Sequence, residues 1–284
     1  VLAGGALLGS AGTASSFASA GATPMALGAL RLSVGAVALL AALPLVGGSM
    51  RGALALWRRV TVWVMAVCTA IFQPLFFAAI ERAGVAMSAL LAIGAVPVFA
   101  GFVSWLVLRR RPSLSWAGAT AVAVVGLAMR SSSELRSGDA LGATMALVAA
   151  FAVSCYVVAA KIELARGTHG VEMPAAAYAL ASLLLLPAAA TQPLGWVVSL
   201  RGSAVVLYLG VVTMGLGNAL AIRGMRGLAP PVAATLLLSE PVMATLLGVV
   251  ALGEPLSFVE GVGVVLVLIG LVWQARAAVD AESS

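Results

Sequence analysis

Ten long apolar blocks follow one another along this chain, at residues 2–20, 24–46, 59–80, 84–107, 114–130, 139–160, 174–191, 203–222, 229–252 and 256–275, joined by short connections. A helix that crosses a bilayer needs about 20 mostly apolar residues, and each block is close to that length. Of the 284 residues, 62% are hydrophobic and 9% charged; a soluble fold of this size keeps too many residues near water to tolerate that ratio. Strands of a membrane barrel would alternate apolar and polar positions over about 10 residues, whereas these blocks are continuous and rich in Ala, Leu and Val. The sequence therefore predicts an all-α integral membrane protein with ten transmembrane helices and little room for a soluble domain.

The net charge of +6 does not call for a nucleic-acid partner, because 15 of the 16 basic residues stand between blocks or at their ends. If the first segment is cytoplasmic, the inner connections hold Arg51, Arg58, Arg59, Arg109, Arg110, Arg111, Lys161, Arg166, Arg223, Arg226 and Arg276. The outer ones hold Arg82, Arg130, Arg136 and Arg201, and Arg31 falls inside block two. The positive-inside rule then predicts both termini in the cytoplasm. No block ends in the cleavage pattern of a signal peptide.

The chain also repeats itself. "PVFA" at 97–100 returns as "PVMA" at 241–244, and Gly126-Leu127 returns as Gly270-Leu271, both at an offset of 144. Pro112 and Gly118 match Pro255 and Gly261 at 143, and Pro24 matches Pro174 at 150. The common order predicts two five-helix repeats, 1–133 and 134–284. Since five is odd, the second copy enters the membrane upside down, and the loop charges agree. The connections that carry six basic residues in the first half carry one in the second, and those that carry one in the first carry four in the second. Inverted repeats rocking around a site near the midplane are the architecture of secondary transporters.

Several chemistries are excluded by what the blocks lack. Lys161, the sole lysine, has no glycine-rich lead-in and is followed by Ile162, so there is no phosphate-binding loop to drive transport with ATP. There is no HExxH or GxSxG, and the aspartates, Asp139 and Asp280, lie outside the blocks, so a hydrolase working at membrane depth is not expected. Cys68 and Cys155 have no metal-ligand spacing and read as small packing residues, and His169 sits in a loop without a partner motif. No cofactor and no metal site are predicted.

What remains is a sparse set of polar side chains inside the apolar blocks. In block one, "SAGTASSFASAG" (Ser10–Gly21) puts Thr13, Ser16 and Phe17 near one face. That helix lines an aqueous cavity or packs closely through small residues, for which "GALLG" (Gly5–Gly9) is the pattern. Block three offers Thr69, Gln73, Phe76 and Phe77 on one side. An amide beside two rings suits a small zwitterion with an apolar side chain; the alternative is an amide bonded to backbone freed by Pro74. Asn218 takes nearly the corresponding place in block eight, and block six adds Ser154, Cys155 and Tyr156. Tyr178 and Tyr208 also serve as interface anchors. Trp57, Trp116, Trp196 and Trp273 fall at block ends, as an aromatic belt would. Arg31 lies about 10 Å into its helix, where it can bind a substrate carboxylate or, more simply, snorkel to the headgroups or fix a neighbour. Glu240 stands in mid-block between Ser239 and Pro241. A charge there costs on the order of 3 kcal/mol to insert, so it should face protein or a hydrated cavity, either as a proton or substrate site or as a hydrogen-bonded pivot. Pro97, Ser239 and Pro241 are the candidate pivot residues.

"PMALGALRLSVGAVALL" (Pro24–Leu40) and "LLLSEPVMATLLGVVALGEPLSFVEGVGVVLVLIGLV" resemble the second and the ninth-to-tenth helices of EamA-type members of the drug/metabolite transporter superfamily. The resemblance spans the whole chain and within the group is most similar to YddG-type exporters of aromatic and other amino acids. Val96 precedes the first-half proline where the second half has Glu240, and block one lacks the membrane glutamate of the small multidrug exporters. The resemblance implies a cavity lined by helices one, three, four, six, eight and nine. Together these readings predict a multi-pass transporter of a bacterial inner membrane, a monomer in the lipid bilayer, that exports amino acids or similar small amphipathic metabolites. Substrate-cavity residues would be Thr13, Phe17, Thr69, Gln73, Phe76, Phe77, Ser154, Tyr156, Asn218 and Glu240. A broad exporter of drugs or lipophilic cations, and a non-transporting membrane scaffold, are the alternatives.

Overall fold

A computed structural model describes residues 1–18, 21–83, 85–109, 112–130, 139–253 and 257–283. Arg110, Arg111, Arg136, Pro255 and the boundary at 133–134 lie outside the described residues, as does the side chain of Phe77. The described residues are helical throughout and contain no strand. The elements are α1 (Leu2–Ser16), α2 (Pro24–Ala42), α3 (Met50–Ala55), α4 (Val60–Ala83), α5 (Val85–Gly94), α6 (Val96–Leu108) and α7 (Leu114–Arg130), then α8 (Ala140–Ala165), α9 (Glu172–Ala190), α10 (Leu200–Leu207), α11 (Asn218–Gly224), α12 (Pro230–Leu236), α13 (Ser239–Leu252) and α14 (Phe258–Ser283). Among the described residues, seven stretches are long and apolar enough to cross a membrane, and eight if the pair Met50–Arg58 and Val60–Phe76, bent by 91°, is one span.

Local chemistry explains the ends. Thr23 caps α2 by accepting the Ala26 N–H at 3.2 Å, and Pro24 opens the helix where no backbone donor is needed. Asp139 caps α8 through the Gly142 N–H at 2.9 Å, a bond that holds its carboxyl below the usual carboxylate range. Between α10 and α11 the chain widens into a π-helical stretch, Tyr208–Gly217, which the sequence reading did not anticipate. Such stretches recur at functional positions.

The two matching proline segments break their helices on the N-terminal side of the proline. Pro97 is the second residue of α6 and Pro241 the third of α13, so each proline sits in a first turn, where its missing N–H leaves no bond unmade. The Leu237 carbonyl, four residues before Pro241 and so without its usual helical donor, accepts the backbone N–H of Glu240 at 2.9 Å. Ser239 turns its hydroxyl to the Leu2 carbonyl of α1 at 3.3 Å.

Packing pairs α4 with α8, α7 with α14, α2 with α9 and α1 with α13; α1 and α2 both also pack on the π-helical stretch, and α6 on both α8 and α12. Glycines set the closest crossings. A methyl group on Gly126 would stand 2.5 Å from the Gly263 carbonyl, and one on Gly270 2.7 Å from the Ala119 carbonyl, so α7 and α14 touch backbone to backbone. A methyl group on Gly5 would overlap the Ser239 hydroxyl, and one on Gly9 the Glu240 carbonyl. The "GALLG" segment is therefore a packing surface, laid against the start of α13.

Candidate functional site

Charge and hydrogen-bonding capacity at membrane depth are costly, so the polar groups placed within the apolar stretches mark the candidate site. Arg31 of α2 does not reach for a helix end. Its side chain is half-buried, donates from Nη2 to Gln73 Oε1 of α4 at 3.5 Å, and lies within electrostatic reach of Glu240 on α13 and Tyr178 on α9. Its Nε is buried without a hydrogen-bond partner among the described residues. Gln73 is buried and its amide oxygen accepts from Arg31, while no bond from its amide nitrogen to the Ala70 carbonyl freed by Pro74 is seen among the described residues.

Glu240 sits in the first turn of α13, where the backbone dipole favours an anion. It is surrounded by protein mass, yet its side chain is only half-buried by area. Depth combined with accessibility is what a group lining an internal cleft shows. Next to Arg31, whose field reaches Tyr178, Tyr156 of α8 donates to the Tyr178 hydroxyl at 3.2 Å, with the rings stacked at a centroid distance of 6.2 Å. On α4, Phe76 stacks on Phe72 at 5.2 Å. Cys68 of α4 and Cys155 of α8, read from sequence as unrelated packing residues, meet thiol to thiol across the α4–α8 contact.

The other candidates from sequence are dispersed. Thr69 is half-buried and donates to the Met65 carbonyl of its own helix at 2.8 Å. Ser154 is fully buried and ties α8 to α6 through the Val96 carbonyl at 3.0 Å. Asn218 points back along its own helix, its amide 3.8 Å from the Met214 sulfur. Thr13 is half-buried on α1, and Phe17 caps that helix at its end, its carbonyl accepting from Arg201 Nε at 2.6 Å. Pro97 is buried, while Ser239 and Pro241 flank Glu240 half-buried. The structure thus brings Gln73, Tyr156 and Glu240 together with Arg31 and Tyr178, and does not bring in Thr13, Phe17, Ser154 or Asn218 by any hydrogen bond. Trp196, read as part of a belt, is 8% exposed and packs with Ala26 and Val206.

A second polar cluster lies at one end of the bundle and was missed in the sequence. Glu163, near the end of α8, is fully buried and receives Arg59 and Thr61 from the start of α4, Thr168 at 2.8 Å and Arg166 at 2.8 Å. The only sequence signal was an acid closing an apolar block near basic neighbours. Arg59→Met should leave this carboxylate short of a partner and cost about 3 kcal/mol, the low end for breaking a buried pair because Arg166 remains. Chemical unfolding of the purified variant measures it, and a loss under about 1 kcal/mol would show the cluster to be solvated.

Comparison with known proteins agrees with this geometry. The EamA-like transporter family matches residues 1–132 and 140–275. The chain is 35% identical over 269 residues to the uncharacterized transporter YwfM of Bacillus subtilis (strain 168), covering 93% of this chain and 88% of that one. An uncharacterized transporter of Clostridium kluyveri is 29% identical over 136 residues, 47% of this chain and 43% of that one. A crystal structure at 22% identity superposes with a TM-score of 0.79, over 97% of this chain and 95% of that chain, which shows a shared fold.

Proposed function

The chain belongs to the EamA-like transporter family, and from that premise we propose that it exports amino acids or similar small amphipathic metabolites across a bacterial inner membrane by alternating access. The observation that carries the reading is the cluster of Arg31, Gln73, Tyr156, Tyr178 and Glu240, drawn from helices of both halves of the chain and placed where charge is expensive. A fold that only needed to pack would have no use for it.

Ten spans in two inverted halves, 1–133 and 134–284, with both termini cytoplasmic, complete the proposal. The packing supports it. Gly126 of α7 meets Gly263 of α14, and Ala119 of α7 meets Gly270 of α14. As one index falls the other rises, so the helices run antiparallel. Moved by the 144-residue offset, Gly126 becomes Gly270 and Ala119 becomes Gly263, so each contact turns into the other. A two-fold axis perpendicular to the two helices, which for spanning helices lies in the membrane plane, has this signature. The pairing of α1 with the π-helical stretch and of α4 with α8 is exchanged in the same way.

Counterflow into proteoliposomes with a panel of labelled amino acids, with and without a pH gradient, tests the function. Exchange of at least one of them is expected; exchange of none, from protein that remains folded, refutes amino-acid transport. A quaternary cation in the same assay addresses the drug-exporter reading. The half-accessible Glu240 and the stacked rings favour that reading, whereas Arg31 beside Glu240 works against a cation.

A further inference from the structure

Arg31 has more donors than the protein supplies acceptors. A guanidinium carries five N–H groups in a planar fork. Here it has one hydrogen bond, to Gln73 Oε1 at the long distance of 3.5 Å, and its Nε is buried without a partner among the described residues. Glu240 and the Tyr178 hydroxyl act on it electrostatically, and among the described residues neither forms a hydrogen bond with it. A buried donor left unmade is costly, and in an apolar helix bundle the cost persists only if something else collects on it.

Resting on the transport reading above, we infer that Arg31 is the carboxylate anchor of the substrate site and the residue that makes it selective for acids over their amides. The planar fork matches a carboxylate through two parallel bonds, which a lysine or an amide cannot reproduce. Gln73 accepts from Nη2 and so fixes the plane of the fork, while its own amide nitrogen remains able to donate to the same ligand. Glu240 supplies the opposite charge from α13. The resting pair is therefore neutral in sum, and a ligand that itself sums to zero preserves that balance. A zwitterion places its carboxylate on Arg31 and its ammonium toward Glu240, while a bare anion or cation leaves one charge uncompensated at depth. The stacked rings of Tyr156 and Tyr178, the latter acting electrostatically on Arg31, bound this region and suit an apolar side chain.

The test uses phenylalanine, phenylalaninamide and phenethylamine as probes in thermal-unfolding titrations of the purified full chain, since a ligand that binds only the folded state raises its midpoint. In wild-type protein phenylalanine should bind at least about tenfold more tightly than either analogue, a difference of about 1.4 kcal/mol. In Arg31→Gln that preference should vanish, and in Arg31→Lys, which keeps the charge that balances Glu240 but loses the fork, it should fall by at least about threefold. If Arg31→Gln does not fold, Arg31→Lys carries the test. Equal binding of acid and amide by the wild type, binding of none of the three, or an undiminished preference in both variants overturns the assignment. A purely structural Arg31 would lower the midpoint without changing the acid-to-amide ratio. The two proposals fail separately: absence of counterflow across the amino-acid panel removes the transport reading, whereas counterflow that survives with its acid preference in Arg31→Gln removes only the anchor.

Discussion

Glu240→Gln is expected to lose at least about 90% of counterflow activity while the protein stays folded and monodisperse. A tenfold loss corresponds to about 1.4 kcal/mol, and the lost term is larger than that. Glu240 is the carboxylate whose field reaches Arg31, and a single uncompensated charge at the centre of a membrane helix costs on the order of 3 kcal/mol. The glutamine retains the shape of the side chain, so the helix break at Leu237 and Leu238 should survive, because its hydrogen bonds are backbone ones, Leu238 N–H to Thr235 and Glu240 N–H to Leu237. This separates the two readings the sequence left open. If Glu240 only held a bend, the bend is held by other atoms and the substitution should change little. Unchanged transport with unchanged pH dependence would refute both a substrate and a proton role. A double Arg31→Gln/Glu240→Gln variant, which removes both charges, should recover stability and not transport.

The all-helical membrane character was legible in the sequence because the bilayer is an undemanding reader: continuous apolar blocks suffice to mark helices, and each block from 2–20 to 256–275 contains helix, although seven or eight stretches among the described residues, not ten, are long and apolar enough to cross. The candidate site was legible only in part. Gln73, Tyr156 and Glu240 were singled out because a polar atom in an apolar block is conspicuous by itself. Arg31 was equally conspicuous, and the sequence left it three readings: a carboxylate binder, a snorkelling group or a tie to a neighbouring helix. Its bond to Gln73 of α4 fits the tie, and its direction depends on α2 packing against α9 and facing α4, which no local pattern encodes. Ser154 shows the converse. A hydroxyl in a membrane helix looks functional, yet here it satisfies the Val96 carbonyl where α5 gives way to α6. The π-helical stretch at Tyr208–Gly217 was invisible because nothing in its composition distinguishes it from an ordinary glycine-containing helix.

Gly9→Ala and Gly12→Ala, the same substitution three residues apart on α1, should have opposite effects. At Gly12 nothing lies within 4 Å of an added methyl group, so alanine only gains helix propensity, worth up to about 1 kcal/mol. At Gly9 the methyl group would overlap the Glu240 carbonyl and come within 2.9 Å of the Met243 Cβ. A backbone carbonyl cannot rotate away as a side chain would, so α1 and α13 must separate, at a cost of about 2 kcal/mol or more for overpacking. The separation also moves the backbone that carries Glu240, so Gly9→Ala should lower counterflow beyond what its stability loss explains, and Gly9→Leu should not yield folded protein. Unfolding midpoints of the two alanine variants decide it. Equal midpoints would mean that α1 is loosely held after all; a lower midpoint for Gly9→Ala alone places the close contact with α13 at Gly9 and shows that it does not extend one turn further, to Gly12.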